Sequence, residues 1–290
     1  MRDGFEVVAQ GDLFKVKYLK TSTNKISPPT AKRGHVTKFS AKSRKRMLEK
    51  VATLRRDVVC HFVTLTYTDD SIPNDSKQLQ SHMRAFFERL RRNNPVSSGV
   101  WRIEIEPRKS GRWKGYAAPH IHMLLFSPKI GLPEIDNPHY SGWIHETWSE
   151  ILTASYGFDV APRTDHKVVH GSLGVRKYTA KYAAKAQQSL LVDLPYSHGG
   201  RYWGVFNSEF LPSAEAIKFT VAGHKQAFYE IRRSIRRAGR SVEKKRGKQG
   251  FKVTEKVRSR AEGQGFTYFT NDVDKWVDYL ITLIEQSTFL

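Results

Sequence analysis

The stretch PHIHMLLF at residues 119–126 determines how the rest of the chain is interpreted. It is short and apolar, with β-branched and aromatic residues, and this pattern predicts a buried strand. Side chains alternate between the faces of a strand, so His120 and His122 share one face and Ile121 lies on the other. Two buried imidazoles are costly unless hydrogen bonds or a metal ion satisfy them. On its own, the pair is explained more simply by hydrogen-bonded core histidines than by a metal site.

An upstream segment, VWRIEIEP at residues 100–107, predicts a second strand with Glu104 and Glu106 on one face. If it pairs with the histidine strand across the Gly/Lys/Arg-rich hairpin at 108–118, these carboxylates lie beside the imidazoles. Two histidines and one carboxylate form a mixed nitrogen and oxygen site suited to Mg²⁺ or Mn²⁺, which can also take Zn²⁺ or Co²⁺. The spacing leaves open which of the two glutamates is the third ligand.

The segment GVRKYTAKYAAK at residues 174–185 predicts a helix with four polar groups on one face. Tyr178 and Tyr182 are one helical turn apart, and Lys181 and Lys185 each follow a tyrosine by one turn, so all four share a stripe. Tyrosine can form a covalent intermediate at a phosphoryl centre, but it needs a base, a cation or a metal-polarised phosphate to react. The simpler alternative is an amphipathic surface helix whose tyrosines pack and whose lysines extend into solvent.

The remaining apolar patterns predict an α+β domain with a central antiparallel sheet and flanking helices over residues 38–195. The other elements are a strand at 61–67, one strand or a pair at 159–169, and helices at 39–56, 76–93, 139–156 and about 172–188. Residues 1–37 are expected to form a basic N-terminal arm. Residues 196–290 are expected to form a basic, mostly helical C-terminal region that binds DNA or packs as an appendage.

The charge of the chain indicates a polyanionic partner. Lysine and arginine number 49 against 28 aspartate and glutamate, a formal net charge of +21. Residues 216–260 hold 15 basic and 3 acidic residues, a local charge of +12 (15 − 3). Nucleic acid is favoured over an anionic membrane, because phosphates reward such an excess directly and no amphipathic apolar anchor is evident. The expected DNA-binding residues are Arg232, Arg233, Arg236, Arg237, Arg240, Lys244, Lys245 and Arg246.

The cellular compartment is predicted from two simple features. The chain has a single cysteine, Cys60, which cannot form an intramolecular disulfide and suits a reducing environment. The N-terminal residues contain no apolar signal core, and charges interrupt every apolar run before it reaches spanning length. A soluble protein of the bacterial cytoplasm, without a membrane partner, is therefore expected.

Together, these segments resemble the HUH endonucleases, and specifically the rolling-circle replication initiators (Rep) of small single-stranded DNA bacteriophages, the microvirus-like, two-tyrosine type. HFVTLTY at 61–67 resembles the first motif strand of that family. PHIHMLLF matches its His-hydrophobic-His motif, including the proline, and YTAKYAAK matches its Tyr-x-x-Lys-Tyr-x-x-Lys helix. WRIE at 101–104 looks like the strand that supplies its acidic metal ligand, which favours Glu104. The hairpin at 108–118 is longer than is usual, and the basic C-terminal part matches nothing in the family.

The resemblance implies an HUH domain of the palm or RRM-like kind, in which His120 and His122 are metal ligands. It implies a metal-dependent, site-specific nickase and strand transferase acting on single-stranded DNA at a replication origin. Tyr178 or Tyr182 would attack the origin strand, leaving a 5′-phosphotyrosine and a free 3′-OH for the polymerase. The second tyrosine would close the circle at the end of the round. Lys181 and Lys185 would position the phosphate or the metal.

Other functions remain open at this stage. A non-catalytic single-stranded nucleic-acid-binding protein explains the basic stretch, with its interleaved aromatic residues, but needs neither the histidine pair nor the Tyr/Lys stripe. A transposase or relaxase of the same superfamily would share the chemistry; relaxases usually carry the tyrosine near the N-terminus, whereas here it follows the histidines. The sequence contains no GxxxxGK[ST] motif, so a host helicase is an implied partner together with DNA polymerase. The oligomeric state is not predicted.

Overall fold

The computed structural model describes residues 4–19, 39–108, 110–112, 114–127, 138–171, 174–175, 201–245 and 265–288. Within these ranges the chain divides into two compact units. The larger unit draws on residues 31–51 and 55–212, and the smaller one on residues 1–30, 52–54 and 213–290. Most of the helix predicted at about 172–188, including both tyrosines and both lysines of the polar stripe, lies outside the described residues.

Antiparallel strands and helices make up both units. The strands are β1 (Gly4–Gln10), β2 (Leu13–Leu19), β3 (Val59–Leu65), β4 (Ser98–Pro107), β5 (Ala117–Phe126), β6 (Thr164–His170), β7 (Trp203–Phe206), β8 (Ala216–Ala222) and β9 (Phe266–Phe269). The helices are α1 (Ala41–Ala52), α2 (Ser76–Asn93), α3 (Pro138–Tyr156), α4 (Lys225–Lys245) and α5 (Val273–Thr288). No described helix is both long enough and apolar enough to cross a bilayer.

The larger unit is built on a five-stranded sheet in the order β6-β3-β5-β4-β7, with every neighbouring pair antiparallel. Helices α2 and α3 contact each other, and Phe86 of α2 meets Trp148 of α3 with ring centroids 6.1 Å apart. The side chain of Asp75 caps the start of α2 by accepting a hydrogen bond from the backbone N–H of Gln78. Trp101 of β4 contacts Phe87 of α2, so this helix covers the sheet face that carries the odd-numbered residues of β4. The even-numbered residues of β4 therefore lie on the opposite face.

The smaller unit is a four-stranded antiparallel sheet in the order β8-β1-β2-β9. Its buried core joins one face of β1 and β2 to helices α4 and α5. Phe228 of α4 lies with its ring centroid 5.8 Å from that of Phe5 in β1 and 5.9 Å from that of Phe266 in β9. Ile231 and Ile235 follow Phe228 on the buried side of α4, as their spacing from the arginine pairs predicts. The basic side chains are thereby left on the outer side of the helix.

The predicted α+β class is confirmed, and the strands and helices predicted between residues 39 and 169 are present. The expected arm at 1–37 differs from the structure, because residues 4–19 form the β1–β2 hairpin. That hairpin turns at Gly11, whose φ of +58° suits glycine. The boundaries also differ, since β7 joins the larger sheet beyond residue 195 and β1 pairs with β8 from the far end of the chain. In its described residues, the C-terminal region contains the expected helices and three short strands besides.

One buried histidine makes the stability of the larger unit dependent on pH. His82 of α2 lies between the hydroxyls of Tyr67 and Ser155, at 3.3 and 2.8 Å from its Nδ1 and Nε2. Burial lowers the pKa of His82 from 6.5 to about 4, so the folded state resists the proton that the unfolded chain accepts. The contribution of neutral His82 to the free energy of unfolding is therefore complete above pH 6.5, and it is lost as the pH falls toward 4.

On acidification from pH 7 to pH 5, we expect the burial of His82 to lower the free energy of unfolding by about 2 kcal/mol. Urea unfolding of the wild type and of His82→Gln at both pH values measures the loss. The variant is expected to be less stable at pH 7 but to lose less stability on acidification. Equal losses in the two proteins would show that His82 is not the group responsible.

Candidate active site on the paired strands

The β4–β5 hairpin places the predicted acidic and imidazole residues together. In the antiparallel register Glu104 lies opposite His120, and Arg102 lies opposite His122. On the other side of β5, Thr64 of β3 lies opposite His122. These five side chains share one sheet face, because directly opposed residues in antiparallel strands point the same way. This is the face opposite to the one that α2 covers.

His122 is held at both ring nitrogens. Its Nε2 lies 2.8 Å from Oε2 of Glu104, and its Nδ1 lies 3.1 Å from the hydroxyl of Thr64. The ring of Phe62 stacks on the imidazole at 5.7 Å between centroids and 14° between planes. A carboxylate only accepts, so in the neutral ring Nε2 donates to Glu104 and Nδ1 accepts from Thr64. The Thr64 hydroxyl can also accept, which allows the opposite tautomer, with a lone pair on Nε2.

Arg102 brings a buried positive charge to Glu104. Its Nη2 lies 3.8 Å from Oε1 of Glu104, and the side chains of both residues are almost fully buried. Its guanidinium lies 5.1 Å from the centroid of the Phe39 ring, which in turn stacks on Tyr202 at 6.3 Å. Arg102 and His122 thus lie beside different carboxyl oxygens of Glu104, Oε1 and Oε2 respectively.

His120 is the second imidazole of the motif. Its ring lies 6.4 Å from that of His122 and nearly parallel to it, at 12°. Burial lowers the pKa of His120 below its usual range; His122 and then Arg108 act in the same direction, and the carboxylates of Glu104 and Glu106 oppose them. A lowered pKa keeps the imidazole neutral near pH 7, which is the form that binds metals.

The same residues have the chemistry of a metal site. Two ligand atoms at about 2.1 Å from one cation and at a right angle are about 3 Å apart, close to the 2.8 Å between His122 Nε2 and Glu104 Oε2. Among the described residues, however, no three His, Cys, Asp or Glu side chains already converge as a metal-binding group. His122 and Glu104 are thus preformed as a pair, and His120 would have to turn its ring toward them.

The structure distinguishes the two candidate glutamates. Glu104 is buried, contacts His122 and faces His120 across the hairpin. Glu106 lies two residue pairs closer to the hairpin turn, opposite Ala118, and is partly exposed. The geometry therefore favours Glu104 as the carboxylate partner of the histidine pair.

The other predicted site residues fall into two groups. Tyr178, Tyr182, Lys181 and Lys185 lie outside the described residues, so their placement stays a prediction. Of the predicted DNA-binding residues, Arg233 and Arg237 are exposed on α4, and Arg232 and Arg236 are partly exposed. The helix continues through Arg240, Lys244 and Lys245, whose side chains are not described, and Arg246 lies outside the described residues.

Sequence reasoning missed three residues that shape the site: Phe62, Thr64 and Arg102. Phe62 and Thr64 alternate on the predicted strand at 61–67, but the sequence does not say which strand pairs with it or in which register. Arg102 was visible as the residue two before Glu104, hence on its face. Its burial depends on Phe39 and Tyr202, which approach from distant parts of the chain.

Comparison with known proteins gives one family match. Residues 60–187 match the family model described as replication-associated protein ORF2, a span of fewer than half of the 290 residues. The span includes β3, the β4–β5 hairpin and the Tyr/Lys segment. Comparison with curated proteins gives no significant match, and neither does comparison with solved structures. The similarity agrees with the predicted connection to DNA replication.

Proposed function

We propose that this protein is a rolling-circle replication initiator that nicks and rejoins single-stranded DNA through a phosphotyrosine intermediate. The observation that carries the proposal is the contact of Glu104 with His122, with His120 opposite Glu104 on the next strand. The match of residues 60–187 to a replication-associated family supports a role in DNA replication. A bacterial cytoplasm, with a bacteriophage or plasmid origin as substrate, is the setting in which this activity is proposed.

The proposed cofactor is Mg²⁺ or Mn²⁺, held by His120, His122 and Glu104. When bound, the divalent ion would polarise the scissile phosphate and neutralise part of its charge. Thr64 would accept a hydrogen bond from Nδ1–H of His122 and so keep the Nε2 lone pair directed toward the ion. Arg102 would hold Glu104 in place from its other carboxyl oxygen.

The nucleophile is proposed to be Tyr178 or Tyr182. Its phenolic oxygen forms a bond to the phosphorus while the bond from phosphorus to the 3′ oxygen of the preceding nucleotide breaks. The proton lost by the phenol is balanced by the one gained at the leaving oxygen, which becomes a free 3′-OH. The product is a 5′-phosphotyrosine that a 3′-OH can attack in reverse, which permits strand transfer. Lys181 and Lys185 would neutralise charge on the phosphate.

Helix α4 is proposed to hold the DNA backbone. Arg232 and Arg236 are one helical turn apart, and after burial it is Arg236 that lowers the pKa of Arg232, so their like charges repel each other. A phosphate backbone relieves that repulsion and releases counterions. The same residues serve a non-catalytic binder equally well, so they support nucleic-acid binding without deciding whether the protein is an enzyme.

The proposal is tested by incubating the full chain with Mn²⁺ and single-stranded DNA from its own replicon. A denaturing gel then reports a covalent protein–DNA band, and a parallel lane contains EDTA. The expected result is a nuclease-sensitive band that EDTA abolishes. Tight, salt-sensitive binding without any band would instead indicate a single-stranded DNA-binding protein.

A further prediction concerns the hydroxyl behind His122. Thr64→Val removes the hydroxyl that lies 3.1 Å from Nδ1 and keeps a β-branched side chain that strands favour, so the strand should remain intact. We expect Mn²⁺ affinity to fall by about 10- to 100-fold, the usual effect of losing a partner that orients a metal-binding histidine. Isothermal titration with Mn²⁺ measures it, and Thr64→Ser, which keeps the hydroxyl, serves as the control. Unchanged affinity in Thr64→Val would remove Thr64 from the site.

A further inference from the structure

A groove with a volume of about 560 Å³ lies in the larger unit between helix α2 and strands β4 and β7. Trp101 and Ile103 line it, and these residues alternate along β4 with Arg102 and Glu104. The groove is therefore on the face of the sheet opposite to the histidine pair. Neither the family match nor the proposed chemistry assigns a role to it.

The floor of the groove is aromatic. Trp101 lies opposite Gly204 of β7, and a Cβ built on that glycine would be 2.6 Å from the indole ring. The absence of a side chain at Gly204 thus lets the indole lie across the neighbouring strand, where it remains partly exposed. Phe87 of α2 contacts the indole at 6.3 Å and stacks on Phe206 at 5.0 Å and 13°. The floor offers a flat ring system beside solvent.

The rim of the groove is basic. Arg84 and Arg91 of α2 and Arg201 before β7 are exposed and line it, whereas Glu88 is the one acidic residue among the lining residues. Arg91 is oriented toward the floor, because its guanidinium lies 5.5 Å from the centroid of the Phe206 ring. Three cations against one carboxylate, placed around aromatic rings, give this groove a net positive charge.

We infer that the groove binds a short segment of single-stranded DNA, with a base on Trp101 and phosphates at Arg84, Arg91 and Arg201. Aromatic platforms beside cations are the combination by which proteins hold unpaired strands, and a duplex presents no free base face to the indole. An apolar peptide would offer no negative charge to the three arginines of the rim. The identity of the ligand rests on the proposed function, whereas the binding itself requires neither metal nor tyrosine.

The test measures binding of the full chain to a fluorescein-labelled oligodeoxythymidylate in EDTA, by anisotropy. Trp101→Leu is expected to weaken binding by about 5- to 150-fold, the range for loss of one stacked base. The double variant Arg84→Gln/Arg201→Gln is expected to reduce the steepness of log affinity against log salt concentration by about 1.4. Arg92→Gln is the matched control, since Arg92 is an exposed arginine of the same helix that does not line the groove.

A second measurement requires no variant. An oligonucleotide carrying 5-iododeoxyuridine is irradiated with the wild-type chain, and cross-linked tryptic peptides are identified by mass spectrometry. We expect a cross-link within residues 93–102, the peptide that contains Trp101. Cross-links confined to other peptides, with unchanged affinity in Trp101→Leu, would overturn the inference.

Failure of the groove and failure of the proposed function give different results. If the groove is not a DNA site, Trp101→Leu binds like the wild type while the covalent band still forms with Mn²⁺. If the protein is not a nickase, the covalent band is missing, and Trp101→Leu still weakens binding in EDTA. Comparing the two assays on the same variants therefore separates the two claims.

Discussion

Glu104→Gln is expected to reduce formation of the covalent protein–DNA band by about 100-fold or more, whereas Glu106→Gln is expected to change it little. The two glutamates share a strand face, but Glu104 contacts His122 and lies opposite His120, whereas Glu106 lies opposite Ala118. Glutamine keeps the shape of the side chain and removes its charge, so the proposed metal would lose its anionic ligand while the hairpin is retained. Band intensity over time, at fixed Mn²⁺, is the measurement.

A buried charge can also affect folding, so the comparison needs a stability control. Glu104→Gln removes the anion that lies 3.8 Å from the buried Arg102 guanidinium, and some loss of stability is expected. Thermal unfolding of each variant at the assay temperature separates an unfolded protein from an inactive one. If Glu106→Gln abolishes the band while a folded Glu104→Gln retains it, the assignment of the carboxylate ligand is wrong.

The double variant Tyr178→Phe/Tyr182→Phe is expected to form no covalent band, because both candidate nucleophiles are then missing. Phenylalanine keeps the ring and removes only the hydroxyl, so single-stranded DNA binding in EDTA should be preserved. Each single variant is expected to retain one of the two reactions, and their comparison shows which tyrosine cuts first. A band of wild-type intensity in the double variant would place the nucleophile elsewhere in the chain.

The face shared by the key residues was predictable from alternation alone. In a hairpin of two β-strands, His120 and His122 must lie on one face, and so must Glu104 and Glu106. Residues 108–116 connect the strands, and the register decides which glutamate lies opposite which histidine. Register depends on the geometry of the turn, which the sequence of this long hairpin does not specify. The choice between the two glutamates therefore required the structure.

Long-range pairing was the part that the sequence did not reveal. The alternating residues of β1 and β2 are a hairpin pattern, but their partners β8 and β9 lie more than 190 residues further along the chain. The four-residue strand β7 is too short to recognise by periodicity, and its glycine at 204 argues against a strand by propensity. In the structure that glycine makes room for the Trp101 indole. Local pattern and tertiary packing therefore favour opposite interpretations of the same residue.

The site itself combines both kinds of information. His122 is recognisable from the motif, but the hydroxyl of Thr64 and the ring of Phe62 that fix its orientation come from β3. The buried guanidinium of Arg102 lies 5.1 Å from the centroid of the Phe39 ring, which comes more than 60 residues upstream. These contacts fix the orientation of His122 and the position of Glu104, which the shared strand face alone would not do.

The most direct test of the central claim is to identify the residue that becomes linked to DNA. The covalent complex formed with Mn²⁺ is digested with nuclease and then with trypsin, which cleaves after Lys177, Lys181 and Lys185. The account predicts a nucleotide attached through its 5′-phosphate to the peptide 178–181 or 182–185, and no such peptide in EDTA. A nucleotide on any other residue, or an adduct that forms equally in EDTA, would contradict the metal-dependent tyrosine mechanism.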